Sequence, residues 1–147
     1  MSRQKPATVY TLGTSTRGSE EFLSLLRNNH IELVIDVRRF PTSKYEHFRQ
    51  EQLSQLLAQA GMEYSYLGRE LGGYRSQGYQ SFTESDEFQQ GLDRLERAAE
   101  QKRAAVICAE RFPWRCHRRF ISRELEKRGW KVVHIIDDKR SWVPRAG

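Results

Sequence analysis

Leu33-Val34-Ile35-Asp36-Val37 is an apolar run interrupted by a single carboxylate near its end, and its reading decides the fold. A strand with one wet face alternates apolar and polar residues, whereas a strand covered on both faces of a parallel sheet reads as nearly unbroken aliphatic sequence. Residues 104–109 have the same character and carry Cys108 near their end, and residues 131–136 supply another such run. Working outward, residues 7–12 form a β-rich run ending at Gly13, and residues 62–67 read as a short strand. Between these runs the period changes. Phe22, Leu25 and Leu26 recur at helical spacing behind a candidate cap, Ser19, with Glu20 and Glu21 in the first turn. Leu53, Leu56, Leu57 and Ala60 do the same and stop at Gly61. Phe88, Leu92 and Leu95 follow a Thr83 or Ser85 cap, and Phe120, Ile121 and Leu125 predict a helix closed by Gly129. Strands alternating with helices predict an α/β, three-layer fold with a mostly parallel sheet of about five strands.

The 147 residues fit one domain with one core, spanning residues 8–137, followed by a tail over 138–147 onto whose core Trp142 can tuck back. Apolar residues make up 37% and charged residues 30%, too much apolar content for a disordered chain and too much charge for a membrane span. Ser2 to Lys5 lead into a strand-like run rather than the apolar region of a signal peptide, so the expectation is a cytoplasmic protein without a membrane partner. Two cysteines do not make a disulfide framework, and their thiols are expected to be reduced.

In a parallel sheet the ligand site lies beyond the carboxyl ends of the strands, which here means residues 13–16, 36–44, 69–74, 108–110 and 116–118. The most informative stretch is Cys108-Ala-Glu110-Arg-Phe-Pro-Trp-Arg-Cys116-His117-Arg118, with one thiol at a strand end and the other at the start of the next helix. Positive potential from a helix N-terminus and nearby arginines favours thiolate, which makes Cys116 the candidate nucleophile. Free N–H groups at that terminus, with Arg118 beside them, suit a phosphate or carboxylate. Cys108 reads as a second reactive thiol or as a small buried core residue. His117 is a general base or a capping residue, Glu110 is a second proton carrier, and His134, inside an apolar run, is a core histidine. Asp36 and Arg38, two apart, share a strand face and form an ion pair or present opposite charges to one ligand.

Spacing removes familiar alternatives. A tyrosine-phosphatase-like loop needs its arginine one residue closer to the thiol than Arg115 lies to Cys108 or Arg123 to Cys116. Seven residues between the cysteines exclude a local Cys-x-x-Cys centre, though not a disulfide between the two loops. Cys108, Cys116 and His117 are one ligand short of a structural zinc site. Residues 111–131 hold eight bases against two acids and carry the whole net charge of +6, a local anion-binding field or a solvated helix face. Residues 68–82, rich in glycine and tyrosine without period, read as a long functional loop in which Gly72 and Gly73 close over the ligand. Tyr64, Tyr66, Tyr74, Tyr79 and Phe82 stack nucleobases or simply pack.

The combination Tyr10-Thr-Leu-Gly13-Thr14-Ser15, Asp36-Val-Arg38-Arg-Phe-Pro41-Thr-Ser43-Lys44, Leu71-Gly72-Gly73 and Cys108-Ala-Glu110 with Cys116-His117-Arg118 resembles the DUF488 family of small α/β proteins, over nearly the whole chain. Thr14 stands where that family often has histidine. The resemblance implies a Rossmann-like single-domain sheet and groups these motifs, including Ser15, Ser43 and Lys44, at one site; it implies no reaction. The expectation is an enzyme that binds a phosphate-bearing ligand, nucleotide or nucleic acid, with Cys116 or Cys108 reactive, His117 or Glu110 handling protons, and Asp36 and Arg38 orienting the substrate. The alternatives are a non-catalytic nucleic-acid-binding module and a thiol-based redox or metal-binding protein. The residues specify neither a cofactor nor an oligomeric state.

Overall fold

Burial on both faces makes neighbours of the aliphatic runs. The computed structural model describes residues 7–73, 75–76 and 78–144. In it Thr8–Gly13 (β1), Leu33–Asp36 (β2), Glu63–Tyr66 (β3), Ala104–Cys108 (β4) and Lys131–Ile135 (β5) form parallel pairs, and Ser141–Trp142 (β6) adds antiparallel to β5. The order is β3-β2-β4-β1-β5-β6. The chain thus starts near the middle and builds outward on both sides, with β4 inserted between β1 and β2.

Among the described residues six helices flank the sheet: Ser19–Asn28 (α1), Gln50–Gln59 (α2), Gly68–Leu71 (α3), Tyr79–Phe82 (α4), Asp86–Gln101 (α5) and Arg118–Lys127 (α6). Single 3-10 turns lie at Glu46–Phe48 and Pro113–Arg115. Phe22 and Leu26 from α1 and Leu53 and Leu57 from α2 pack with Leu12, Val34 and Ile107 on one face. Leu71, Phe88, Leu92, Ile121 and Leu125 pack with Val9, Ile35, Val106 and Val132 on the other. Each such side chain, removed from water, contributes roughly 1.5–3 kcal/mol. The result is a three-layer α/β fold.

The sequence reading and the structure part at three places. The sheet has six strands rather than about five, because residues 141–142 of the expected tail pair with β5, and the Trp142 ring stacks on that of His134 at 5.3 Å. Residues 68–82 hold two short helices where a structureless loop is expected, and Tyr79 and Phe82 are drawn in against Phe88. Ser19 opens α1 rather than capping it: Gly18 is the cap, and there is no side-chain cap hydrogen bond. Ser85, by contrast, caps α5 by accepting the Phe88 N–H at 3.1 Å. Tyr74 and residues 145–147 lie outside the described residues. Among the described residues no helix is long and apolar enough to cross a membrane.

Candidate functional site

The strand ends beyond Cys108 and Asp36 open onto a cavity of about 660 Å³ lined by residues of several loops, among them Arg39, Phe40, Gly73, Glu110, Arg115 and His117. Local geometry explains how both sulfurs reach it. Cys108 ends β4, and alternation along that strand turns it toward the α5/α6 face. The chain leaves through residues 109–112, makes the turn at Pro113–Arg115, and passes Cys116 in extended conformation (φ −132°, ψ 155°) before α6 begins behind His117. Cys116 Sγ therefore comes to 2.8 Å from Cys108 Sγ, and His117 Nδ1 lies 3.4 Å from Cys116 Sγ. The two cysteines are free thiols rather than a disulfide.

The pair is electrostatically unequal. Cys108 is 1% exposed, and burial pushes its thiol well above the ordinary range. Cys116 faces the cavity, and its thiol is held down to about 4, chiefly by the hydrogen bond with Cys108, against the opposing effect of burial. His117 and the Arg118 backbone N–H at the start of α6 add to the depression. Either sulfur can donate in this contact, and the lowered Cys116 pKa favours Cys108 S–H as the donor to a Cys116 thiolate. His117 Nε2–H donates to the Val37 carbonyl at 3.1 Å, which orients the ring and leaves Nδ1 for the sulfur. Tyr79 closes the site from above: its ring centre is 5.2 Å from that of His117 and its hydroxyl donates to Leu71 O at 2.6 Å. Gly73 lies so near His117 that a Cβ there would meet Nδ1 at 3.2 Å.

Of the expected site residues, Cys108, Cys116, His117, Glu110, Gly73 and Arg38 are brought to the cavity. The others are placed elsewhere. Asp36 is fully buried on the α1/α2 side, where it accepts from Arg38 Nε at 2.9 Å, Arg38 Nη2 at 2.8 Å and Tyr64 OH at 2.7 Å. The remaining Arg38 nitrogen donates to Phe48 O at 2.7 Å, so this pair welds β2 to the loop before α2. Arg118 is fully buried as well: it donates to Thr11 Oγ1 at 2.7 Å and to the carbonyls of Glu110 and Arg111 at 2.6 and 2.8 Å. It clamps the loop that carries the site. Ser15 donates its backbone N–H to Ala109 O, Ser43 Oγ accepts from Tyr45 N–H, and Lys44 rests over the Tyr45 ring. Gly72 packs tightly within the 68–73 turn, where a Cβ would meet Gly68 O at 2.3 Å.

Arg39, Phe40 and Thr42, within the 36–44 stretch expected at the strand ends but not singled out there, enter the lining, as do Tyr79, a stacking candidate, and Arg115, which lies outside the expected stretches. No sequence signal separates Arg39 from Arg38; only the path of the loop does. The basic segment 111–131 does not form one surface: Arg118 is internal, Arg128 pairs with Asp93 and Glu96, and Lys127 pairs with Glu124. Tyr64 and Tyr66 spend their hydroxyls on Asp36 and Arg39 O, and Phe82 packs on Phe88. His134 is a core histidine, its Nδ1 sharing a 2.6 Å hydrogen bond with the Thr11 hydroxyl. Among the described residues no group of three or more His, Cys, Asp and Glu converges as a metal site.

No curated protein and no solved structure matches the chain. A family model does: it matches residues 18–78 and 74–125, a span that contains β2, β4, both cysteines and the cavity lining. The chain belongs to DUF488, a domain of unknown function.

Proposed function

We propose that the protein is an enzyme that uses the Cys116 thiolate as a covalent nucleophile on a phosphate-bearing substrate, a nucleotide or nucleic acid. The observation that carries this reading is the Cys116 sulfur, set between the Cys108 thiol at 2.8 Å and the His117 ring at 3.4 Å and facing the cavity. A thiolate poised beside an imidazole whose far nitrogen is fixed by a carbonyl is the arrangement nucleophilic catalysis needs. The proton that Cys116 gives to His117 Nδ1 on forming the thiolate then goes to the leaving group, and Glu110, whose carboxylate accepts from the Phe112 N–H at 3.4 Å, stands on the same wall as a second proton carrier. Binding of the anion falls to Arg39 and Arg115 on the cavity wall, since Arg118 is committed to backbone carbonyls. The exposed Phe40 ring at the mouth offers a face for a planar group.

The test is a turnover screen of nucleoside phosphates and short oligonucleotides, with Cys116→Ser as the matched control. The variant is expected to keep the fold by circular dichroism and lose at least about a hundredfold in turnover. Iodoacetamide at pH 6 is expected to label Cys116 in the wild type at least about tenfold faster than an ordinary cysteine. Unchanged turnover in Cys116→Ser ends the nucleophile assignment.

A further inference from the structure

The two sulfurs sit closer together than one nucleophile requires. Cys116 faces the cavity, while Cys108, within 2.8 Å of it, is sealed from solvent at the end of β4. A disulfide needs about 2.0 Å between sulfurs, so the pair is less than an ångström from bonding distance. Its flanks differ in freedom. Cys108 is pinned in the sheet opposite Gly13, whereas Cys116 lies in a connecting segment between a single 3-10 turn and α6. Cys116 can therefore close the gap by a small shift that leaves the sheet intact.

We infer that Cys116 and Cys108 are a hydroperoxide-responsive pair, Cys116 the sulfur that is attacked and Cys108 the one that resolves, whose oxidation to a disulfide reversibly switches off the cavity. The inference rests on the proposed role of Cys116 as nucleophile and gives that site its regulation. In the first step the Cys116 thiolate attacks the terminal oxygen of a hydroperoxide: an S–O bond forms, the O–O bond breaks, and the departing alkoxide or hydroxide takes a proton from His117 or water. Cys116 is then a sulfenic acid. In the second step the Cys108 sulfur attacks Cys116 Sγ: an S–S bond forms, the S–O bond breaks, and the hydroxyl leaves as water with the Cys108 proton. Two electrons pass from the sulfurs to the peroxide, which ends as alcohol and water.

The geometry also explains the division of roles. Both sulfurs border the cavity, but Cys108 is 1% exposed, so a hydroperoxide reaches Cys116 first and Cys108 meets the sulfenic acid. Capture at 2.8 Å competes with further oxidation of Cys116, which would otherwise run on to sulfinic acid. Recovery uses a low-molecular-weight dithiol: its thiolate attacks the accessible Cys116 sulfur, Cys108 leaves, and the second thiol of the reductant releases Cys116.

The experiment treats the full-length, pre-reduced protein with one equivalent of hydrogen peroxide and reads intact mass, free thiols and the cross-linked peptide. Wild type is expected to lose two hydrogens, to fall from two free thiols to none, and to regain both with dithiothreitol. Cys108→Ser is expected to stop at a sulfenic acid on Cys116 that dimedone traps, and Cys116→Ser to stay unmodified. Wild type that gains oxygen on Cys116 without a cross-link, or that keeps both thiols, overturns the inference, and this readout depends on no variant folding. Iodoacetamide labelling of an aliquot of the pre-reduced protein, taken before peroxide is added, separates the two claims. Fast labelling of Cys116 without disulfide formation defeats the switch and leaves the nucleophile standing; slow labelling defeats both.

Discussion

Single side chains in this protein are read by what they touch. Asp36 and Arg38 illustrate it: two apart on a strand, they offer either a ligand site or an internal pair, and four hydrogen bonds on the carboxylate, three of them from Arg38, make them the pair. His134 carries a prediction at this scale. Burial, and then the nearby Arg118 charge, push its pKa down to about 3, so it is neutral in the native state while an unfolded histidine takes a proton near 6.5. Between those values the unfolded chain binds more protons, and stability falls as pH drops from about 6.5 toward 3, by roughly 1.4 kcal/mol per pH unit from this group. His134→Gln keeps an acceptor for the Thr11 hydroxyl and removes the titration. Its urea stability is expected to decline less steeply than that of wild type between pH 6.5 and 4; parallel pH curves would refute the assignment.

Between elements, the decisive contact is that of the β1 end with the loop leaving β4. Gly13 stands in register with Cys108, and a Cβ on it would meet Glu110 O at 2.0 Å and Arg111 Cα at 2.8 Å, both backbone atoms that cannot swing aside. The same loop is gripped from the other side by Arg118, the first residue of α6. Strand, loop and helix are thus held together by one missing methyl and one buried guanidinium, and the distance between the sulfurs depends on both. Gly13→Ala is expected to destabilise by about 1–3 kcal/mol, the range for overpacking, and to slow iodoacetamide labelling of Cys116 at pH 6 by pulling it away from Cys108. Wild-type labelling in a destabilised variant would show that the loop position does not govern the thiolate.

At the level of the molecule, one sheet serves two cores, and every central strand contributes to both. Loss of either core exposes the same strands, so the protein is expected to unfold in urea as one cooperative unit. Far-UV circular dichroism reports the helices. Tryptophan fluorescence reports Trp130 in the α5/α6 core and the exposed rings Trp114 and Trp142. Coincident transitions are the expected result, and separated midpoints would divide the chain into independent units. The parallel strands and main helices were legible as runs and periods, because burial on two faces or along one stripe leaves its mark in the local order of residues. The short strand β6 and the helices α3 and α4 were not, since two or four residues carry no period and form only because Trp142 finds His134 and Tyr79 finds Phe88.

The cavity divides in the same way. A thiol at a strand end and another before a helix, with histidine following, is a pattern in the chain order, and it singled out a loop that lines the cavity. Whether Asp36 joins them is a matter of register: Asp36 pairs with Ile107, whose side chain faces α1 and α2, while Cys108, one residue on, faces the opposite layer. Neighbouring positions in paired strands share a face, and no local pattern states which residue of a distant strand will be the neighbour. Arg118 likewise looks like any surface arginine until three acceptors from β1 and the loop after β4 surround it. Chain order settled the elements because their periods are local. Folding settled which sulfur is sealed, which faces the cavity and how near they lie, because those depend on residues brought together only when the strands align.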